Sequence, residues 1–210
     1  MNFNINTKVQ PTLAEAYFNR GILLFEFDKL EEAVKDFSKS IELNPSNEYA
    51  YLERGKMYDF LGDKEAALRD YNKSIELNPN NAEAYAERGL LFSKKRTLDE
   101  AMRDYNKAIE LNPDDVDSRK ERADILYEDQ KYPEAFLDYK KILEKNPNDA
   151  EIHYYIAVTL FPMGYYEAGI KHLTTAAKID RSYQEILDDP YWEEEYGNDN
   201  ENLDDDEDDL

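Results

Sequence analysis

The sequence predicts an all-α protein, an α-solenoid of tandem helix-turn-helix hairpins. The first observation is a strict repeat, because four Asn-Pro pairs follow one another at intervals of 34 residues. The second is that each interval carries two stretches whose apolar residues recur at helical spacing. The third is the length of the unit, which is too short to bury its own apolar face without stacking on its neighbours. The four prolines are Pro45, Pro79, Pro113 and Pro147.

Each unit is predicted to consist of two helices. In the second unit, one face is formed by residues at i, i+3, i+4 and i+7, namely Tyr51, Arg54, Gly55 and Tyr58. After a break around Gly62, a second face of the same kind begins with Ala67 and Tyr71. Equivalent residues recur in the other units, so the hairpin is the repeated element.

The ends of these helices are also marked. Proline lacks a backbone N–H and disfavours helix in the residue before it, so each Asn-Pro pair ends a second helix. The next first helix is expected to begin after a capping side chain that accepts a backbone hydrogen bond. The candidate caps are Ser46-Asn47, Asn80-Asn81, Asp114-Asp115 and Asn148-Asp149.

Glycine recurs in the middle of the first helices, at Gly21, Gly55 and Gly89. Glycine at such a position costs about 1 kcal/mol relative to alanine, so its recurrence predicts a close approach of the two helices. We expect the recurrent alanine of the second helix to lie opposite. The fifth unit exchanges the two residues, with Ala157 at the glycine position and Gly169 at the alanine position.

This pattern resembles the tetratricopeptide repeat. The shared features are a small residue, an aromatic residue and glycine on one helix, then Ala-x3-aromatic and a closing proline at a period of 34 residues. The fifth unit is degenerate, because His153, Leu173 and Arg181 replace the usual tyrosine, aromatic residue and proline. The resemblance implies a right-handed α-solenoid of about five repeats followed by a C-terminal capping helix.

The repeat boundaries divide the chain into three segments. We expect a flexible N-terminal segment at 1–12, a repeat domain at 13–189 and an acidic, disordered tail at 190–210. The repeats are predicted at 14–47, 48–81, 82–115, 116–149 and 150–181, with the capping helix at 182–189.

A charged pair recurs inside the hairpins. The residue before the glycine position is arginine in four units, and the residue before the second-helix aromatic is aspartate in the same four. Both disappear together in the fifth unit, which has Ile156 and His172. We predict a partly buried Arg–Asp pair, within a hairpin or between adjacent units; the alternative is a solvated surface pair that contributes little. The residues are Arg20, Arg54, Arg88 and Arg122, with Asp36, Asp70, Asp104 and Asp138.

The charge of the chain argues against several classes of partner. The net charge is −22, and 13 acidic residues from Asp188 to Leu210 leave −9 on the rest. Such a chain repels phosphate backbones and anionic lipids, so nucleic acid and membranes are not expected as ligands. The sequence shows neither a secretory signal nor a stretch of about 20 apolar residues, which favours a cytoplasmic protein.

The sequence offers no chemistry typical of an enzyme. Cysteine is absent, and phosphate-binding loops, nucleophile elbows and metalloprotease motifs do not occur. His153 and His172 lack the partners of a structural metal site and are expected to be packing residues. We therefore predict a protein without catalytic residues, metal or cofactor.

The resemblance implies that the first helices line a concave, peptide-binding groove. Aromatic residues at the groove positions of the first and fifth units provide candidate anchors for a partner segment. The alternative for Phe18 and Tyr154 is packing between neighbouring first helices. The candidate groove residues are Phe18, Ile22, Phe25, Tyr49, Leu52, Lys56, Asp59, Leu90, Ser93, Lys120, Asp124, Tyr127, Tyr154, Val158 and Phe161.

The groove lacks the Lys, Asn and Arg clamp with which chaperone-binding relatives hold an acidic C-terminus. In the alignment that starts at the first repeat, the clamp positions of the second and third repeats carry Glu53, Glu83 and Glu87. An acidic peptide would meet like charge there, so a basic or mixed, partly apolar segment suits the groove better.

The function predicted from the sequence is a monomeric, non-enzymatic scaffold or adaptor that binds a protein or peptide in the groove. The alternative is a structural subunit that joins a larger complex through its convex or end surfaces. The acidic tail is expected to confer solubility, or to compete with partners by lying against lysines such as Lys56, Lys94 and Lys120.

Overall fold

A computed structural model describes residues 6–188, with side chains described from Thr12 onward. These residues form helices and no strand, so the all-α fold class of tandem helix pairs is confirmed. The first helices are α1 (Asn6–Glu26), α3 (Glu48–Phe60), α5 (Ala82–Lys94), α7 (Val116–Glu128) and α9 (Ala150–Leu160). The second helices are α2 (Leu30–Leu43), α4 (Lys64–Leu77), α6 (Leu98–Leu111), α8 (Tyr132–Leu143) and α10 (Tyr166–Ile179).

Consecutive helices pack as hairpins, and the chain divides into two compact units. Unit 1 ends at Asp114 and contains the first three hairpins, whereas unit 2 begins at Asp115 and contains the last two. Within unit 1, α2 also packs on α3 and α4 on α5. Within unit 2, α8 packs on α9, and α10 packs on a short helix α11 (Gln184–Leu187).

The helix boundaries follow the repeat closely. The helices α3, α5, α7 and α9 begin at the first residue of the second to fifth predicted repeats, whereas α1 begins at Asn6, before the predicted first repeat. Asn81, Asp115 and Asp149 cap their helices by accepting a backbone hydrogen bond, as predicted. Asn47 occupies the cap position of α3 without such a bond.

The two ends of the chain fit the predicted segments only in part. The predicted capping helix is a 3-10 turn at Arg181–Tyr183 followed by α11. The predicted acidic tail at 190–210 lies outside the described residues, and so do residues 1–5. The flexibility of 1–12 stays a prediction.

The glycines lie against aromatic rings, and the predicted neighbour was wrong. A Cβ added to Gly55 would lie 2.7 Å from Cε1 of Tyr71, and one added to Gly21 would lie 2.7 Å from Cε1 of Phe37. Both rings are buried. The close approach therefore accommodates the aromatic residue of the second helix rather than the alanine four residues before it.

The fifth hairpin reaches a similar packing with different residues. A Cβ on Gly169 would lie 2.6 Å from Cε1 of Phe161. Phe161 is buried in one cluster with Ala157 and Leu173. Because Leu173 is smaller than the tyrosine at the equivalent position, Phe161 folds inward from the end of α9 and fills the space.

The predicted Arg–Asp pairs are present in all four hairpins. Arg54 donates from Nε to Oδ2 of Asp70 at 2.7 Å and from Nη2 to Oδ1 at 2.9 Å. Its Nη1 donates to the Ser38 hydroxyl of the preceding second helix at 3.0 Å. Each pair thus links the two helices of a hairpin, and this one reaches the neighbouring hairpin as well. The other pairs are Arg20–Asp36, Arg88–Asp104 and Arg122–Asp138.

Candidate functional site

The predicted groove residues lie on first helices, except Phe161 in the 3-10 turn that follows α9, and those of unit 1 are brought together. Helix α1 contacts α3, and α3 contacts α5. We define the unit 1 face as the surface of α1, α3 and α5 on and around their predicted groove residues, which are Phe18, Ile22, Phe25, Tyr49, Leu52, Lys56, Asp59, Leu90 and Ser93. The unit 2 face is defined by Lys120, Asp124, Tyr127, Tyr154, Val158 and Phe161.

One end of the unit 1 face is aromatic. The rings of Phe25 on α1 and Phe60 on α3 lie with centroids 5.6 Å apart, and both side chains are exposed. Phe18 and Ile22 are half-buried against the core cluster of Ala33, Phe37 and Met57. The sequence did not single out Phe60, although it follows the predicted groove residue Asp59 directly. The exposed aromatic pair is available as an anchor for an apolar side chain.

The residues of the unit 1 face differ in how far their side chains are exposed to solvent. Leu52 is fully buried in the core cluster that contains Ala67, Tyr71, Ala84 and Leu91. It is therefore part of the packing between neighbouring hairpins and offers no surface. Tyr49, by contrast, is exposed. Leu90 and Ser93 are half-buried on α5.

The lysines of the unit 1 face are engaged by carboxylates of neighbouring helices. Lys56 on α3 is paired with Glu53 at 3.0 Å and with Glu83 on α5. Lys94 on α5 is paired with Asp59 on α3 at 2.7 Å. These contacts fix the long side chains in place, so neither ammonium group is available as an isolated positive charge.

A half-buried carboxylate, that of Glu87 on α5, completes the acidic part of this face. Burial raises the pKa of the Glu87 carboxyl above its ordinary value of 4.5; Lys56 and Lys94 oppose the rise, and Glu83 adds to it. With Glu53 and Asp59, the surface places four carboxylates around two ammonium groups. It therefore favours an added positive charge.

Glu87 gives a prediction about pH dependence. Its raised pKa means that the folded state favours the protonated carboxyl, so this group lowers stability as the pH rises above about 4.5. Glu87→Gln is expected to raise the midpoint of thermal unfolding at pH 7 and to have little effect near pH 4. Circular dichroism melts at both values measure this, with the exposed Glu31→Gln as control. A variant less stable than wild type at pH 7 would contradict it.

The polar part of the unit 2 face is organised around Lys120 on α7. Its ammonium group lies 3.2 Å from Asp124, 3.4 Å from Glu151 and 4.6 Å from the centroid of the Tyr155 ring. Asp124 also accepts a hydrogen bond of 2.5 Å from the Tyr139 hydroxyl. Burial and this bond raise the pKa of Tyr139. Lys120 and Asp124 thus form a fixed network rather than free binding groups.

The aromatic residues of the unit 2 face pack mainly on one another. The centroid of the Tyr154 ring lies 5.7 Å from that of the Tyr155 ring and 5.3 Å from that of the Tyr183 ring. The ring centroids of Tyr127 and Tyr132 lie 5.5 Å apart. Val158 is half-buried, and Phe161 is buried in the core cluster with Ala157 and Leu173. The predicted anchor role of Phe161 therefore does not match its burial.

Two further properties of the described residues bear on function. No group of three or more His, Cys, Asp and Glu side chains is arranged to hold a metal ion within 6–188. In the same range, no helix is long and apolar enough to cross a bilayer.

The repeat pattern is matched by two family models. One, described as tetratricopeptide repeat, matches residues 14–47 and 82–115, and the other, described as TPR repeat, matches residues 61–95 and 123–164. The chain belongs to the tetratricopeptide repeat family. A search of curated proteins finds no significant match to the sequence.

Solved structures of tetratricopeptide proteins are similar to this chain. YrrB, described as a TPR protein with an unusual peptide-binding site, is 24% identical, with a TM-score of 0.68 over 81% of this chain and 87% of that one. PilF of Pseudomonas aeruginosa is 17% identical, with a TM-score of 0.72 over 90% of each chain. The first TPR domain of Spaghetti (RPAP3), bound to the HSP90 peptide SRMEEVD, is 27% identical, with a TM-score of 0.54 over 55% of this chain and 92% of that one.

Proposed function

We propose that this protein is a non-enzymatic scaffold or adaptor that binds a segment of a partner protein in the groove lined by its first helices. The observation that carries the proposal is the unit 1 face. There an exposed pair of phenylalanine rings lies on the same three adjoining helices as a set of carboxylates that outnumber their lysine partners. Helices fixed by hairpin packing present these groups with little loss of conformational freedom on binding.

The family supports this role at a general level. Tetratricopeptide repeats stack into extended surfaces that proteins of this kind use for recognition. Two of the similar structures are described by the peptides they bind or the peptide site they contain. A peptide-binding role for this chain is consistent with both.

The chemistry of the unit 1 face favours a basic, partly apolar segment. An added lysine or arginine would lie among Glu53, Glu83 and Glu87 and gain from their negative potential. An apolar side chain of the same segment would lie against Phe25 and Phe60. An acidic peptide of the SRMEEVD type would meet carboxylates where a clamp would need Lys, Asn or Arg, so it is not the expected ligand.

Selection from a random peptide library tests the class of ligand. The full chain is expected to select peptides that combine Lys or Arg with large apolar residues, and to leave SRMEEVD unbound at the same concentration. Glu83→Gln with Glu87→Gln should weaken the selected peptides about three- to tenfold, in line with the value of partly exposed ion pairs. The effect should fall as salt is added.

A matched control removes two charges elsewhere. Glu31→Gln with Glu100→Gln changes exposed carboxylates on the second helices α2 and α6. This control should bind like wild type. Selection of acidic peptides, or equal losses in both double variants, would contradict the proposed ligand class.

A further inference from the structure

The outer side of α1 carries the residues that elsewhere pack one hairpin against the next. Ala16, Arg20 and Leu23 lie 34 residues before Ala50, Arg54 and Met57 of α3. In α3, Met57 shares a core cluster with Ala33 and Phe37 of the preceding helix α2. In α5, Ala84 and Leu91 share a core cluster with Tyr71 of the preceding helix α4. We call Ala16, Arg20 and Leu23 the outer face of α1.

The outer face is exposed where its equivalents are buried. Leu23 is 52% exposed, whereas Met57 and Leu91 are 0% exposed. Ala16 is likewise exposed, whereas Ala50 and Ala84 are fully buried. One turn beyond Leu23, Phe27 is 73% exposed. Apolar surface that is covered at each equivalent position of unit 1 is thus open to solvent on α1.

Within the part of the chain that the structure describes, the arginine of this face lacks one hydrogen bond that its equivalents in α3 and α5 make. Nη1 of Arg54 donates to Ser38 at 3.0 Å, and Nη1 of Arg88 donates to Asn72 at 2.6 Å. Both acceptors belong to the second helix of the preceding hairpin. Arg20 keeps the bond from Nη2 to Asp36 at 2.7 Å, but among the described residues no third partner corresponds to Ser38 or Asn72. Its side chain is 62% exposed, against 18% for Arg54.

We propose that the outer face of α1 docks a helix of a partner protein with the chemistry of α2 and α4. The internal interfaces define that chemistry. The helix presents an aromatic residue, as at Phe37 and Tyr71, to pack on Ala16 and Leu23. The next residue carries a side-chain oxygen, as in Ser38 and Asn72, to accept the hydrogen bond from Arg20. The docked helix continues the packing of unit 1 by one further helix.

A second copy of the same protein fits less well as the occupant. In a second copy of the chain, the corresponding surfaces of α2, α4, α8 and α10 are already packed on α3, α5, α9 and α11. The aromatic residue of α6 at the equivalent position, Tyr105, is also buried. A helix from a different protein is therefore the occupant that we infer.

A peptide copied from this chain tests the proposal. A labelled, helix-stapled peptide of residues 62–80, which contains α4, is titrated into the full-length protein and followed by fluorescence anisotropy. Saturable binding is expected, and Leu23→Glu should weaken it at least tenfold. A peptide with alanine in place of Tyr71 and Asn72 should lose at least as much. Because Leu23 is exposed, its variant is expected to keep the wild-type melting temperature.

Controls separate this surface from the groove and from self-association. Leu137→Glu, a change at an exposed leucine of α8, should leave binding of the α4 peptide unchanged, and so should Glu83→Gln with Glu87→Gln. The proposal is overturned if no saturable binding occurs up to millimolar peptide, or if Leu23→Glu binds like wild type. It is also overturned if sedimentation shows that the protein itself dimerises and that Leu23→Glu abolishes the dimer.

Discussion

Asp70→Ala is expected to lower the free energy of unfolding by about 3–5 kcal/mol, because it leaves a largely buried guanidinium group without its counterion. In the wild type, Asp70 binds Arg54 through two hydrogen bonds, and the exposed fractions of the two side chains are 9% and 18%. Arg54 also donates to Ser38, so the stranded charge lies between two hairpins. Urea unfolding followed by circular dichroism measures the loss.

Two comparisons make this prediction specific to the buried pair. The double change Arg54→Leu with Asp70→Leu removes both charges and is expected to be clearly less destabilising than Asp70→Ala. Asp36→Ala makes the same chemical change in the first hairpin, where Arg20 is exposed and can be hydrated; its effect should be the smaller of the two single changes. If Asp70→Ala is no worse than the double change, the pair is not the stabilising contact that we infer.

Gly55→Ala is expected to destabilise the protein by up to about 2 kcal/mol, because overpacking a core costs about 1–3 kcal/mol and alanine regains about 1 kcal/mol in helix propensity. The new methyl group would lie 2.7 and 2.8 Å from two ring carbons of Tyr71. That ring is buried and cannot swing into solvent.

Gly89→Ala is the matched control for this steric argument. Its methyl group would lie 3.1 Å from the nearest ring carbons of Tyr105, so a shift of a few tenths of an ångström relieves the contact. The gain in helix propensity should then cancel most of the cost, giving a change near zero. Equal destabilisation by the two substitutions, measured in the same urea titrations, would show that the distances to the aromatic rings do not control the effect.

The sequence predicted the parts of the structure that depend on periodic signals. The starts of α3, α5, α7 and α9 followed from the 34-residue period, because cap and proline chemistry acts locally. The Arg–Asp pairs followed from their joint loss in the fifth unit. Both inferences needed only a comparison of equivalent positions among the repeats.

The parts that depend on side-chain packing between hairpins were not predictable in the same way. Leu52 and Phe161 occupy groove positions by alignment, yet both are in the core, Phe161 because Leu173 leaves space beside Gly169. The pairing of Phe25 with Phe60 joins residues of different repeats. So does the pairing of Lys94 with Asp59. Such contacts depend on the orientation of neighbouring helices and not on a position within the repeat.

The affinity of a selected basic, apolar peptide for the variant Phe25→Ala with Phe60→Ala tests the central claim most directly. We expect the dissociation constant to rise at least tenfold, because the two exposed rings on α1 and α3 provide the apolar anchor of the first-helix groove. Leu137→Ala with Ile170→Ala, which removes exposed apolar side chains from second helices, should bind the peptide like wild type. An unchanged affinity in the phenylalanine variant, with its fold intact by circular dichroism, would contradict the claim that the first helices form the binding surface.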